Sequence, residues 1–255
     1  MKNEYLKNLN KIEFVVTDAC TGRCKHCSQG EHTNFGGHID PDLAADAVRK
    51  ISEKYDIKTV MTFGGEPLLY PDTVYSVMRV AKEMNIEKRQ VITNGFFTND
   101  TDKMRTVAGR LYECGVNDLL ISVDAFHQES IPLDKVTEFI KECKRLGVPM
   151  RLQPAWLVSA DDGNAYNLQT QRILASLSPL EVRVGEGNVI FPEGNAKKYL
   201  SEYFTDNLPQ NPYEEDERDV RCVSFSASGD VLSGNVYEDD VMEILENYRP
   251  QSDAQ

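Results

Sequence analysis

Strand-like and helix-like stretches alternate along this chain so regularly that few architectures are open to it. Ile12–Val16 reads as a strand, and Asp40-Pro41 then opens a helix, a capping residue followed by proline at the first helical position. That helix carries Leu43, Ala47, Val48, Ile51 and Tyr55 at three-to-four spacing, one apolar stripe to bury. The alternation continues with strands at Thr59–Phe63, Gln90–Thr93, Asp118–Val123, Met150–Val158 and within Glu181–Phe191, each followed by an amphipathic stretch. Six β-α units in about 200 residues call for parallel strands joined by right-handed crossovers. Eight units would close a barrel, so six predict an α/β fold of the partial (β/α)6, TIM-like kind, with its chemistry at the carboxyl ends of the strands.

The pattern breaks after residue 204. A polar, acidic connector runs through Asn207 to Glu217, followed by Val220–Ala227, a turn at Ser228-Gly229-Asp230, Val231-Leu232 and a helical stretch with Val241, Ile244, Leu245 and Tyr248. The expected division is residues 1–204 as the barrel core and 205–255 as a small hairpin-helix extension, folded back across the open side of the barrel.

Cys20, Cys24 and Cys27 directly follow the first strand, in the stretch CTGRCKHC. An odd number at such tight spacing is no disulfide framework. It can wrap one iron–sulfur cluster, with three thiolates on three irons and the fourth iron open to a ligand. Gly64-Gly65-Glu66-Pro67 follows the second strand. There two glycines permit close backbone approach, a carboxylate can accept from an ammonium group, and proline fixes the turn. A structural zinc site is the competing reading, and it would need His26, His32 or His38 as fourth ligand. The formal charge of −13 speaks against a nucleic-acid partner. The polar amino-terminal stretch MKNEYLKNLNK is no signal peptide and no apolar run approaches a membrane span, so a cytoplasmic protein with reduced thiols and no membrane partner is expected.

CTGRCKHC together with FGGEP resembles the signature of the radical S-adenosylmethionine (radical SAM) superfamily, over roughly residues 11–200. The resemblance implies one 4Fe–4S cluster held by Cys20, Cys24 and Cys27, its open iron chelated by the amino and carboxylate groups of S-adenosylmethionine (SAM). An electron from a donor such as flavodoxin or ferredoxin would then cleave the sulfonium bond, giving methionine and a 5′-deoxyadenosyl radical that abstracts a substrate hydrogen. It also implies roles in holding SAM: His26 packs near the adenine, Gly64, Gly65 and Glu66 meet the ammonium, and Ser122 and Asp124 face the ribose. Thr93 and Asn94 share that mouth, and Arg151 and Gln153, two apart and so on one face of a strand, are candidates for the carboxylate. His127 at the same rim is the candidate for touching substrate or relaying a proton. Trp156 is expected to pack the barrel, and Cys114 and Cys143 continue apolar helix faces as core residues.

The stretch from Arg221 to Asp240 resembles the SPASM or Twitch extension of peptide-modifying radical SAM enzymes, but Val231-Leu232-Ser233 stands where a second cysteine belongs. Cys222 alone cannot hold an auxiliary cluster. This likeness leans toward a peptide or protein side chain as substrate. Only 19 residues precede Cys20, so no leader-binding domain is expected ahead of it, and a peptide would need a separate leader-peptide-binding protein or another surface. The alternatives are a radical SAM enzyme for a small molecule or nucleotide, and a non-catalytic iron–sulfur or zinc binding protein.

Overall fold

The computed structural model describes residues 2–204 and 209–250, so the expected division at 204/205 abuts residues 205–208, which lie outside the described ones. Five strands, β1 (Lys11–Val15), β2 (Thr59–Phe63), β3 (Lys88–Thr93), β4 (Asp118–Ser122) and β5 (Met150–Gln153), pair in sequence order, and every pair is parallel. The crossovers are α1 (Pro41–Lys54), α2 (Pro71–Glu83), α3 (Thr101–Glu113) and α4 (Leu133–Leu146). Asp40 caps α1 as its sequence demands: its carboxylate accepts from the N–H groups of Asp42 (2.9 Å) and Leu43 (3.0 Å). The α1 stripe Ala44, Ala47, Val48 and Ile51 shares one core with Ile12, Phe14, Val60 and Val91 of the sheet. Each fully buried Ile, Val or Phe there contributes about 1.5–3 kcal/mol. The alternate residues of β1, Lys11, Glu13 and Val15, are only half-buried, leaving the other face of the sheet for a site.

The far wall departs from regularity. Pro154 has no N–H for the ladder and splits the expected fifth strand, so the chain resumes as β6 (Ala155–Trp156) and pairs with β7 (Asn188–Val189) in a separate two-stranded sheet. The expected sixth strand is regular only over β7, with one further parallel bridge between Leu152 and Val184. Two helices flank this wall, α5 (Ala165–Leu177) and α6 (Gly194–Tyr199). Trp156 is buried and donates to the Glu186 carbonyl (2.8 Å), tying β6 to the loop before β7.

The carboxyl-terminal segment behaves differently from expectation. β8 (Cys222–Phe225) adds parallel to β1, pairing Lys11 with Cys222 and Phe14 with Phe225, so the six-stranded order is β5-β4-β3-β2-β1-β8. Phe225 stacks on Phe14 at 4.6 Å. The hairpin β9 (Asp230–Val231) and β10 (Gly234–Asn235) and helix α7 (Val241–Asn247) then lie on the α1 side, joined by Lys50–Asp240 and Lys54–Glu246 ion pairs. The regular part of the unit therefore extends the β1 edge of the sheet, while its first described residues reach the far wall, Asn211 donating to Glu193 (3.1 Å) and Tyr213 packing on Phe191 (6.2 Å). Among the described residues no helix is long and apolar enough to cross a membrane.

Candidate metal-cluster site

Cys20, Cys24 and Cys27 leave the end of β1 on one loop, and all three line a single cavity of about 240 Å³ at the carboxyl ends of the strands. That loop is locked to the Gly64-Gly65 turn main chain to main chain. Val16 donates to the Phe63 carbonyl (2.8 Å), Gly65 to Thr17 (2.8 Å) and Glu66 to Ala19 (2.8 Å). A Cβ on Gly64 (φ +137) would stand 2.6 Å from the Thr17 oxygen, and one on Gly65 only 2.2 Å from the Ala19 oxygen. The glycines thus serve first to let two backbones interlock, and both also line the cavity.

Glu66 lies beneath this turn with no exposed surface. Its carboxylate accepts from Thr93 Oγ1 (2.7 Å), the Asn94 N–H (2.8 Å) and the Leu68 N–H (3.0 Å), so it ties β2 to β3 and does not line the cavity as expected. Burial pushes its pKa up to about 7, against the pull of those donors. Asn94 carries the tie onward: its Nδ2 donates to Thr21 Oγ1 (3.0 Å) and reaches Cys20 Sγ (3.6 Å). Burial raises the Cys20 thiol to about 11 and Cys24 well above its ordinary range, so in the metal-free protein both keep their protons, to be released on metal binding.

At the end of β4, Asp124 is also without exposure, and both of its oxygens are saturated. Oδ1 accepts from the N–H groups of Phe126 (3.0 Å) and His127 (2.9 Å), Oδ2 from the Ala155 N–H (3.0 Å) and His127 Nδ1 (2.8 Å). Burial alone would raise this acid; His127, His26 and the backbone donors overcome it and hold the pKa at about 2. Nothing of Asp124 is left over for a ribose. It fixes the His127 ring instead, committing Nδ1 as a donor and leaving Nε2 as the free nitrogen. His26 packs on Phe126 (5.0 Å) and edge-on to His127 (4.8 Å), and loss of solvent pushes its pKa down to about 4. Cys24 Sγ and ring nitrogens of His26 and His127 lie within 4.8 Å of one another.

Ser122 and Gln153 reach the cavity; Arg151 does not. Strand alternation places Arg151 and Gln153 on one face but at different heights, and the Arg151 guanidinium is held by Asp118 (3.1 Å) at the amino-terminal end of β4. Of the possible fourth zinc ligands, His38 packs on Tyr70 away from the cavity. His32 is committed to Cys27 Sγ (3.2 Å) and the Asp18 carbonyl (2.7 Å). Sequence reasoning missed the opposite wall, Asn188 to Phe191 with Tyr213, because loops without a motif carry no local signal. Cys114 and Cys143 are buried in the main core.

Three soft thiols on one open cavity suit iron–sulfur ligation. Gln153 Oε1 and His26 Nδ1, both on cavity-lining residues, are buried without a protein partner, as polar atoms awaiting a ligand would be. Fold and site together define a parallel half-barrel built to hold a metal cluster beside a small-molecule cavity. Residues 14–152, more than half of the chain, match the family model of the radical SAM superfamily, and the chain belongs to that superfamily. Its cofactors are a 4Fe–4S cluster and SAM.

The chain is 27% identical over 209 residues to GTP 3′,8-cyclase of Clostridium perfringens (strain SM101 / Type A), covering 78% of this chain and 61% of that protein. It is 31% identical over 163 residues to probable GTP 3′,8-cyclase of Sulfolobus acidocaldarius, covering 60% of this chain and 49% of that one. It therefore spans less than two thirds of the length of these relatives. In fold it is similar to Streptococcus suis SuiB bound to S-adenosylmethionine, with TM-score 0.61, 11% identity and coverage of 97% of this chain and 68% of that one. Native anSMEcpe with bound AdoMet is similar too, with TM-score 0.61, 12% identity and coverage of 96% and 82%.

Proposed function

We propose that this chain is a radical SAM enzyme acting on a small molecule or nucleotide. The observation that carries the chemistry is the convergence of Cys20, Cys24, Cys27, Gly64 and Gly65 on one cavity. Cys20, Cys24 and Cys27 would hold the cluster, which when bound would supply the one-electron chemistry for reductive cleavage of SAM and hydrogen abstraction from a substrate. Gly64, Gly65, Asn94, Ser122 and Gln153 bind and orient SAM, His26 packs beside it, and the Asp124–His127 pair offers Nε2 as an acceptor to substrate. The electron comes from a protein donor of flavodoxin or ferredoxin type. The substrate class rests on the relatives matched in sequence, which are named for a nucleotide cyclase. The expectation of a peptide leaned on the carboxyl-terminal unit, whose strand β8 extends the β1 edge, and among the described residues none after Tyr213 lines the cavity.

Anaerobic reconstitution should give about four irons per chain, as one cluster requires, and Ala at Cys20, Cys24 or Cys27 should abolish it. With reductant and SAM the holoprotein should release 5′-deoxyadenosine, faster when GTP or a related nucleotide is added. Stoichiometric zinc with no iron uptake would overturn the cofactor reading. Deuterium transfer into 5′-deoxyadenosine from a labelled peptide, and from no nucleotide or small metabolite, would overturn the substrate reading.

A further inference from the structure

The cysteine loop is held by the turns after β2, β3 and β4, through Gly65, Asn94 and Ser130. A further grip, on the carbonyls of the loop itself, comes from the first residues of α6. The Asn195 N–H donates to the Cys27 carbonyl (2.9 Å) and its Nδ2 to the Cys24 carbonyl (3.0 Å), while the residue itself is only 7% exposed. Gly194 (φ +50) brings its backbone so close that a Cβ would stand 2.4 Å from the Ser28 oxygen, 2.6 Å from the Cys27 oxygen and 2.7 Å from the Gly30 nitrogen. One helical turn on, Lys198 and the Tyr199 hydroxyl hold Glu31, at the far end of the same loop.

We propose that Gly194 and Asn195 are positioning residues for the cluster: they fix the carbonyls of Cys24 and Cys27, and with them the arc on which two of the three thiolates stand. A cluster with three protein ligands has no fourth thiolate to restrain it, so the rigidity of the ligand loop governs how readily the metal is lost. Just before Gly194 in the chain, Asn188 to Phe191 wall the cavity, so the grip on the loop and the wall beside the ligand lie on one continuous stretch. The inference rests on the cluster reading of Cys20, Cys24 and Cys27, and not on the substrate.

The test measures chelator-driven iron release from anaerobically reconstituted holoprotein, with the electron paramagnetic resonance spectrum of the reduced cluster beside it. Asn195→Ala and Asn195→Asp should release iron about 10-fold faster or more, the scale on which outer partners of metal ligands act, and alter the spectrum. Asn167→Ala is the control for plain destabilisation. Asn167 is also buried and ties the loop after β6, through the carbonyls of Leu157 (3.0 Å), Ser159 (2.7 Å) and Asp162 (3.0 Å), without a bond to the cysteine loop. That variant should lower the melting temperature yet release iron at the wild-type rate. Glu31→Gln, on an exposed pair that cannot decide folding, should accelerate release in the same direction by less. Wild-type release rates in both Asn195 variants, or equal acceleration by Asn167→Ala, would overturn the inference alone. A wild-type chain that takes up no iron would overturn the cluster reading and this inference with it.

Discussion

Glu66 and Asp124 sit at the ends of β2 and β4, under the same cavity and equally shut off from water, yet one holds its proton to about 7 and the other loses it at about 2. Burial pushes both upward. Glu66 has two backbone N–H groups and a hydroxyl to oppose that push; Asp124 has three backbone N–H groups and an imidazole. At Asp124 the pull of His127, His26 and the backbone donors overcomes burial; at Glu66 the donors do not. The turn after β2 is therefore an interlock of main chains with a protonatable acid as its filler. The turn after β4 is anchored by a fixed charge, and what it anchors is a histidine.

If the β2 turn is held by backbone interlock, its glycines matter more than its acid. Gly65→Ala should be the most damaging single change, on the order of 4 kcal/mol, because the new Cβ meets main-chain oxygen with no side chain free to yield. Melting of the apoprotein and iron uptake measure it; normal uptake would show that the loop can dock without the interlock.

The two acids should then separate by pH. Glu66 titrates above its ordinary 4.5 when folded, so its contribution is complete below about 4.5 and is lost as pH rises toward about 7. Such a shift is worth on the order of 3 kcal/mol. Apoprotein stability should fall across that window, and Glu66→Gln should flatten the slope; an unchanged slope would mean the acid is ionised throughout. For Asp124 the sign is opposite: its contribution is present above 3.8 and lost only as pH falls through about 2. Asp124→Asn should cost about 2 kcal/mol at neutral pH, the scale of hydrogen bonds to a buried charge, and free the His127 ring. Nuclear magnetic resonance of the His127 ring would detect the lost Nδ1 hydrogen bond, and an unaltered ring signal would remove Asp124 as its anchor.

Much of this was legible in the residues. Asp40-Pro41 announced its cap, apolar spacing announced the helices seen as α1 to α7, and two motifs after two strands announced where the cavity opens. What stayed hidden was whatever depends on distant chain. Alternation gives the face of a strand but not the height at which a side chain meets its partner, so Arg151 and Gln153 read alike while Asp118 takes only the first. Glu66 read as a ligand because burial cannot be seen in a motif. Gly194-Asn195 carries no local signal at all; its meaning lies in the two carbonyls that fold up against it.

Cys222 draws the smallest effect and sets the two ends of β1 against each other. It pairs with Lys11, the first residue of β1, whereas the cysteine loop leaves beyond Val15, the last. Four residue steps at ~3.3 Å put roughly 13 Å of strand between them. Burial pushes the Cys222 thiol upward, away from the thiolate that a metal would require. Cys222→Ala should cost about 1 kcal/mol of stability, as loss of a small buried apolar group does, and leave the iron content unchanged. Eight irons per chain falling to four in this variant would mean that the β8 edge carries a ligand to a second cluster, and the separation of a metal-holding mouth from a purely structural edge would fail.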